Sequence, residues 1–355
     1  YLYVLVNVLH NIITLDEALS TDNIIYVDMR SPVEYQVGHI PGAVNIPLFS
    51  DEERAIVGTT YKQVSTEDAK QQGLTFVSSK LPAIVEQIRQ LCQEGRKLVV
   101  YCWRGGMRSR SVVSILEIMG VNAFQLQGGY KAYRRHILDS LTNFSLQPVV
   151  IVLCGSTGVG KTTLLTRLAE RGIPVIDLEK LANHRGSAFG HVGLGRPVTA
   201  QKFDADLLVA LRELNHHPFI VVECESKRVG NVYLPEVLYK AMQEGPKVLL
   251  TAGLDIRIDR LIAEYTDLVN DHQSVLAGSI ESLRTKLGNK KTDRLLDDLS
   301  AGRIRDVVRT LLSDYYDPLY GYETADESRF NAVVSADDLS AAATDIEELL
   351  NQWRR

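Results

Sequence analysis

The sequence predicts an α/β protein of two units, each a mainly parallel sheet covered by helices. Three observations predict it. An apolar, β-branched run at 149–153 leads into Gly155-Ser156-Thr157-Gly158-Val159-Gly160-Lys161-Thr162 and then a helix-forming stretch. A second apolar run, KLVVY at 97–101, opens on Cys102-Trp103-Arg104-Gly105-Gly106 and another helical stretch. Short apolar runs alternate with helical periodicity in both halves, the pattern of strands joined by crossover helices. A chain of 355 residues divides naturally into two domains. The polar segment 143–148 is the expected linker, giving units 1–145 and 146–355, the second with a helical C-terminal part.

Taken in order, residues 24–27 form a short strand ending at Asp28. Pro and Gly punctuate 31–47 into a helical turn, a loop and a short strand at 43–46. Residues 51–70 read as a helical excursion, and 81–94 carries helical periodicity. The strand 97–101 feeds a helix at 110–119, and a strand at 121–126 precedes a basic helix at 131–138. In the second half, 174–176 is a strand ending at Asp177, followed by a polar loop through Gly186 and Gly190 and a helix at 200–214. Strands at 219–222 and 247–250 follow, and from Arg257 the chain reads as helical almost to its end.

A net charge of −5 carries no global signal for nucleic acid, so any such site must be a local patch. The best local candidate is 284–309, where Lys290, Lys291 and Arg294 stand among eight cations against four acids. Tyr315, Tyr316 and Tyr320 could stack on an unpaired base or pack in a core. None of the four cysteines forms a C-x-x-C pair, which argues against zinc. Cys92, Cys154 and Cys224 read as packing residues. No signal peptide or membrane-length run is present, so the expected setting is the cytoplasm, with reduced thiols and no membrane partner. The chain begins at Tyr1 rather than Met, so a few residues are expected to precede it; the apolar run 1–9 is too short to span a bilayer.

Gly155–Thr162 has the spacing of a phosphate-binding loop. Its glycines let successive N–H groups turn inward on an anion, and the following helix adds its positive N-terminal end. Gly155, Ser156, Thr157, Gly158, Gly160, Lys161, Thr162 and Thr163 are the expected phosphate contacts. Thr162 and Glu223, at the end of a buried strand, are the expected Mg²⁺ contacts; no tightly bound cofactor is expected. Asp177, His184 and Arg185 follow the second strand of this unit, with Arg185 expected on a phosphate and Asp177 as a base or metal contact. Cys102 lies where a strand, a glycine loop and a helix N-terminus converge, a setting that favours thiolate. Arg104, Gly105, Gly106 and Arg108 complete a cradle for a chalcogen or an oxyanion. Cys102 to Arg108 is also the C-x5-R spacing of cysteine phosphatases, but Tyr101 stands where those carry a histidine.

The stretch Asp28…Gly38-His39-Ile40-Pro41-Gly42-Ala43…Asn45-Ile46-Pro47 resembles the N-terminal signature of the rhodanese family over about residues 12–138. The whole combination resembles the bacterial tRNA 2-selenouridine synthases. It adds Ser50…Gln63, Cys102-Trp103-Arg104-Gly105-Gly106-Met107-Arg108-Ser109 and Asp177-Leu178-Glu179…Ala182-Asn183-His184-Arg185-Gly186-Ser187…Phe189-Gly190. That resemblance implies replacement of sulfur by selenium in wobble 2-thiouridine of tRNA, with selenophosphate as donor. It also implies S-geranylation of the same sulfur from geranyl diphosphate. It makes Cys102 the catalytic residue. Two other readings of the residues are an ATP-dependent kinase with a regulatory rhodanese module and a non-catalytic sulfur-carrier or tRNA-binding protein.

Overall fold

The computed structural model describes residues 10–92, 96–185, 187, 189–190, 192–271, 273–322 and 326–353, without the side chains of 265–271. The apolar run 1–9, residues 93–94 of the expected helix, and Gly186 lie outside them. The chain forms two compact units, Tyr1–Ser140 and Leu141–Arg355.

The first unit is a five-stranded parallel sheet in the order β1-β5-β4-β2-β3. Its strands are β1 (Ile12–Ile13), β2 (Ile24–Asp28), β3 (Val44–Asn45), β4 (Lys97–Tyr101) and β5 (Ala123–Leu126). β4 is central and apolar on both faces; Leu98, Val99, Val100 and Tyr101 are all buried, as a strand covered on both sides requires. β1 escapes sequence detection because two residues carry no periodicity; register alone defines it, with Ile12 opposite Gln125. The helical excursion is two helices, Asp51–Gln63 and Thr66–Ser78. Ser65 makes the break, because its side chain accepts the Asp68 N–H and starts a new N-terminus. The helix after Cys102 starts at Met107, directly on the glycine loop, and the basic helix spans Gly129–Thr142.

The second unit is also a five-stranded parallel sheet, in the order β12-β11-β6-β8-β7. Here β6 is Val149–Gly155, β7 Val175–Ile176, β8 Phe219–Glu223, β11 Lys247–Thr251 and β12 Ala332–Ser335. A small antiparallel hairpin joins β9 (Arg228–Val229) and β10 (Val232–Tyr233). β12 corrects the expectation of helix to the chain's end. Val333 and Val334 favour extended backbone, and Asn331 N–H donates to the Lys247 carbonyl at 2.8 Å, seating the strand on β11. The helix Leu339–Trp353 then packs Ala342, Ala343, Ile346 and Leu350 onto the sheet. Helices between Leu254 and Tyr320 build a separate apolar cluster around Phe189, Ile258, Ile280, Leu299 and Leu312. Among the described residues no helix is long and apolar enough to cross a membrane.

Candidate active site: two strand–loop–helix cradles

β4 delivers Cys102 to the mouth of its loop. Gly106 N–H donates to Sγ at 3.2 Å and Ser109 Oγ donates at 3.2 Å. Gln125 Nε2 donates to the Gly105 carbonyl at 2.7 Å and to Ser109 Oγ at 3.0 Å, which fixes the ring of donors from behind. Gly129 interlocks with the loop. Its φ is +58°, and a Cβ there would lie 2.3 Å from the Cys102 carbonyl oxygen and 2.4 Å from the Gly105 nitrogen. The cysteine is buried, so the loop grips sulfur on most sides.

The two arginines differ from expectation. Arg104 is exposed and unpaired among the described residues. Arg108 is committed to Glu34, at 2.6 Å and 3.3 Å, so its charge is taken up by a carboxylate rather than left for the sulfur. Burial raises the Glu34 pKa, but the Arg108 hydrogen bonds outweigh it and hold the carboxyl below its ordinary value. Asp28 and Arg30 form a fully buried pair at 2.6 Å beneath the loop, with the guanidinium 3.9 Å from the Tyr130 ring centroid.

In the second unit Lys161 Nζ donates to the Gly155 carbonyl at 2.8 Å. The loop's outward carbonyls are held by two arginines of the helix Leu254–Asp271. Arg257 Nε donates to Thr157 O and Arg260 to Val159 O, each at 2.9 Å. Because the peptide is planar and trans, the N–H groups of Gly158 and Gly160 then point to the opposite side, into the loop. Arg257 is itself fully buried and paired with Asp317 at 2.5 Å. Gly160, at φ +98°, starts the helix Lys161–Glu170. Ser156 is buried, while Thr162 and Thr163 are exposed at the helix start.

A group of acids, Glu223 buried and Glu179 and Glu225 half-buried, lies beside this loop. Thr162 Oγ1 donates to Glu179 Oε2 at 3.2 Å, and Glu179 N–H donates to Glu223 Oε1 at 2.6 Å. Burial pushes the carboxyls of Glu223 and Glu179 up, and that of Glu225 up to about 8. Glu223 Oε2 is buried without a hydrogen-bond partner. Glu223 Oε2, with no hydrogen-bond partner, and the Thr162 hydroxyl are oxygen donors of the kind Mg²⁺ takes. Among the described residues no group of three or more His, Cys, Asp or Glu is arranged to hold a metal by itself. Glu179 stands in the Asp177-Leu178-Glu179 stretch of the resemblance without an assigned role, and Glu225 carries no motif signal; their spacing from Asp177 and Glu223 becomes meaningful only when β7 and β8 pair.

The remaining candidates have these contacts. Asp177 caps the helix Leu178–Ala182, accepting Lys180 N–H at 2.8 Å, and its charge helps raise the carboxyls of Glu223 and Glu179. Arg185 pairs with Glu264 at 2.7 Å and donates to the Val192 carbonyl at 2.8 Å. His184 is wedged against Gly190 and Gly230, where an added Cβ would meet its ring at 2.7 Å and 2.8 Å. Cys154 and Cys224 hydrogen-bond each other, which pushes Cys154 up and draws Cys224 down; Tyr322 donates to Cys224 at 3.4 Å.

The basic run 284–309 is largely spent on acids. Lys291 pairs with Asp314 at 2.7 Å, Arg294 reaches Asp298 at 3.8 Å, and Arg284, Arg303, Arg305 and Arg309 all have carboxylate partners. Lys290 is exposed and unpaired among the described residues. Tyr316 is buried in the helical cluster, and Tyr320 is partly exposed.

Beside the phosphate loop lies an apolar cavity of about 620 Å³ including its open mouth. Thr157 of the loop contributes to its wall, with Leu261, Ile280, Leu299, Leu312 and Tyr316. The segment Leu312–Tyr316 is π-helical, a wide turn often found at functional sites.

Fold and cradles together define a rhodanese-like domain joined to a phosphate-loop domain. The rhodanese-like domain family matches residues 13–136, and the tRNA 2-selenouridine synthase AAA domain matches 148–351. Curated relatives described as tRNA 2-selenouridine synthase include those of Nitrosomonas eutropha, Hahella chejuensis and Pseudomonas syringae pv. tomato. The first is 31% identical over 85% of this chain and 89% of its own. The second is 34% identical over 84% of each chain. The third is 35% identical over 86% of this chain and 90% of its own. A solved N-terminal domain from Clostridium difficile 630 is 45% identical and covers 36% of this chain and 99% of its own, with a TM-score of 0.35. The chain belongs to the tRNA 2-selenouridine synthase family, whose members modify tRNA.

Proposed function

We propose that this chain exchanges the sulfur of wobble 2-thiouridine in tRNA for selenium, in the cytoplasm, by way of an S-geranyl intermediate. Geranyl diphosphate is the alkyl donor and selenophosphate the selenium donor. The observation that carries this reading is the apolar cavity whose wall includes Thr157 of the phosphate loop. A loop built for two phosphates beside a dry cavity suits a diphosphate with a hydrocarbon tail. In the first step the 2-thio sulfur attacks C1 of the geranyl group and the C–O bond to diphosphate breaks. The uracil N3 proton is released. Lys161 and the inward N–H groups take up charge on the departing pyrophosphate. Mg²⁺ held by Thr162 and Glu223 would add to that charge stabilisation.

S-alkylation matters because a thiocarbonyl sulfur is a poor leaving group, whereas the alkylated sulfur departs as geranyl thiol. In the second step the selenium of selenophosphate attacks C2 of the base, the C2–S bond breaks and geranyl thiol leaves with a proton, and water then cleaves the Se–P bond to release phosphate. Cys102, with donors from Gly106 and Ser109 around its sulfur, orients the selenophosphate for that attack and forms no bond to selenium. The test is mass spectrometry of nucleosides after incubation with 2-thiouridine tRNA, geranyl diphosphate and selenophosphate. Selenouridine formed only when both small substrates are present supports the reading. tRNA-stimulated ATP hydrolysis with no geranylated or selenated nucleoside would replace it with a kinase-like activity.

A further inference from the structure

We infer that the tRNA docks on a collar of unpaired cations around the cysteine loop of the rhodanese-like unit, not on the basic run 284–309. The inference rests on the tRNA reading above. A cation already paired with a carboxylate brings little net field and few condensed-counterion exchanges to an RNA backbone, so the cations that matter are the free ones.

Between Cys102 and Leu138 the sequence carries six cations, Arg104, Arg108, Arg110, Lys131, Arg134 and Arg135, and one acid, Glu117, in a chain whose net charge is −5. Glu117 lies in the last turn of its helix, accepting the Asn11 N–H at 2.7 Å. Arg104, Arg110, Lys131 and Arg135 are exposed and unpaired among the described residues.

The backbone ties these positions to the sulfur. Arg110 N–H donates to the Gly106 carbonyl at 3.1 Å, and Gly106 N–H is a donor to Cys102 Sγ. Lys131 N–H donates to the Trp103 carbonyl at 2.9 Å, one residue from Cys102. Arg135 follows Lys131 by one helical turn and shares its face. Half-buried Trp103 and exposed Met107 stand among the cations, apolar surfaces against which an unstacked base can lie. Free positive charge interleaved with aromatic and thioether surface suits RNA, and it surrounds the atom that must reach the modified base. In 284–309, six of the eight cations have carboxylate partners.

The experiment measures binding of the full chain to an unmodified tRNA transcript between 50 and 200 mM salt, conditions over which phosphate binding is strongly weakened. Three proteins are compared: the parent, Arg110→Glu/Lys131→Glu/Arg135→Glu, and Lys286→Glu/Lys290→Glu/Lys291→Glu. All the substituted side chains are exposed, and circular dichroism verifies folding. The collar variant is expected to bind more than about tenfold more weakly at low salt, with the log–log salt slope reduced by about 0.9 for each phosphate no longer neutralised. The second variant is expected to stay within about twofold of the parent, since charge away from the RNA acts only through a screened field. An unchanged slope in the collar variant, or a larger loss in the other, overturns the inference and leaves the tRNA reading intact. A parent protein that does not bind tRNA overturns both. If the collar variant binds tRNA normally but loses selenium incorporation, the collar serves another acidic partner and the inference fails.

Discussion

The two cradles are built the same way and charged in opposite senses. Each is a buried parallel strand, a glycine loop and a helix N-terminus. Around Cys102 the nearby carboxylate, Glu34, is held ionised by Arg108. Beside the phosphate loop, Glu179, Glu223 and Glu225 are pushed toward their neutral forms, burial being the largest cause for each. One cradle closes on a sulfur atom that belongs to the chain. The other is held open by Arg257 and Arg260 on its outer carbonyls, with Lys161 folded back on Gly155. The difference teaches that strand–loop–helix geometry supplies inward N–H groups in either case. What surrounds the loop selects a bound atom or a diffusible anion.

The largest effect should come from emptying each cradle in turn. Lys161→Ala is expected to lower geranylation by about two to three orders of magnitude, the usual cost of removing one preorganised charge partner of a transition state. The same variant should still convert pre-geranylated tRNA to selenouridine tRNA. Cys102→Ala should do the reverse, retaining geranylation and losing selenium incorporation. Nucleoside mass spectrometry reads both; equal loss of both steps in either variant would show that the cradles do not divide the chemistry. Replacement of Arg257 or Asp317 singly should cost about 3–5 kcal/mol, because it strands a buried charge. Arg257→Met with Asp317→Leu should recover much of that stability in a denaturant titration, yet leave the Thr157 carbonyl unheld and geranylation slow.

A smaller, purely steric contrast separates glycines within the first unit. Gly129→Ala puts a Cβ within 2.4 Å of two backbone atoms of the cysteine loop, whereas Gly120→Ala, at φ +75°, meets nothing within 4 Å. The first should cost upwards of about 4 kcal/mol, the range reserved for severe local clashes, and the second about 1–2 kcal/mol of left-handed strain. Thermal melts of both variants check the ordering.

Much of this was legible from the sequence because it is written locally. The run 149–162 specifies strand, turn and helix by itself, and KLVVY before Cys102 does the same. The helix at Ala200–Leu214 matches its periodicity residue for residue. What sequence could not show depends on pairing at a distance. β12 is four residues whose meaning comes from register with β11. Glu179 becomes part of the phosphate-loop site only because β7 lies beside β8, bringing its N–H to Glu223. The basic run 284–309 looked available because charges are counted along the chain, while their partners Asp255, Asp259 and Asp314 lie elsewhere in it. The partner of Arg185, Glu264, is likewise distant in sequence.

The smallest effect is the sharpest test of the opposed electrostatics, because the two units should answer pH with opposite signs. Glu34 has a folded pKa below its ordinary 4.5, so the folded state binds its proton less readily than the unfolded chain. Its contribution is fully present above that value and is lost as pH falls through the lower, folded value. Glu225 is raised from 4.5 to about 8, so the folded state binds that proton more readily. Its contribution is present below 4.5 and declines as pH rises from there to about 8. Stability of the first unit should therefore fall only in acid, while that of the second should fall between mildly acidic and mildly basic pH. The chain has two tryptophans, one in each unit, Trp103 and Trp353. Urea titrations of Trp353→Phe and Trp103→Phe proteins in metal-free buffer thus follow the units separately by fluorescence. Glu34→Gln should flatten the acid limb of the first unit, and Glu225→Gln the slope of the second between 4.5 and about 8. If the two units lose stability in the same direction across that interval, the acids beside the phosphate loop are ionised in the folded protein, and the contrast between the cradles is wrong.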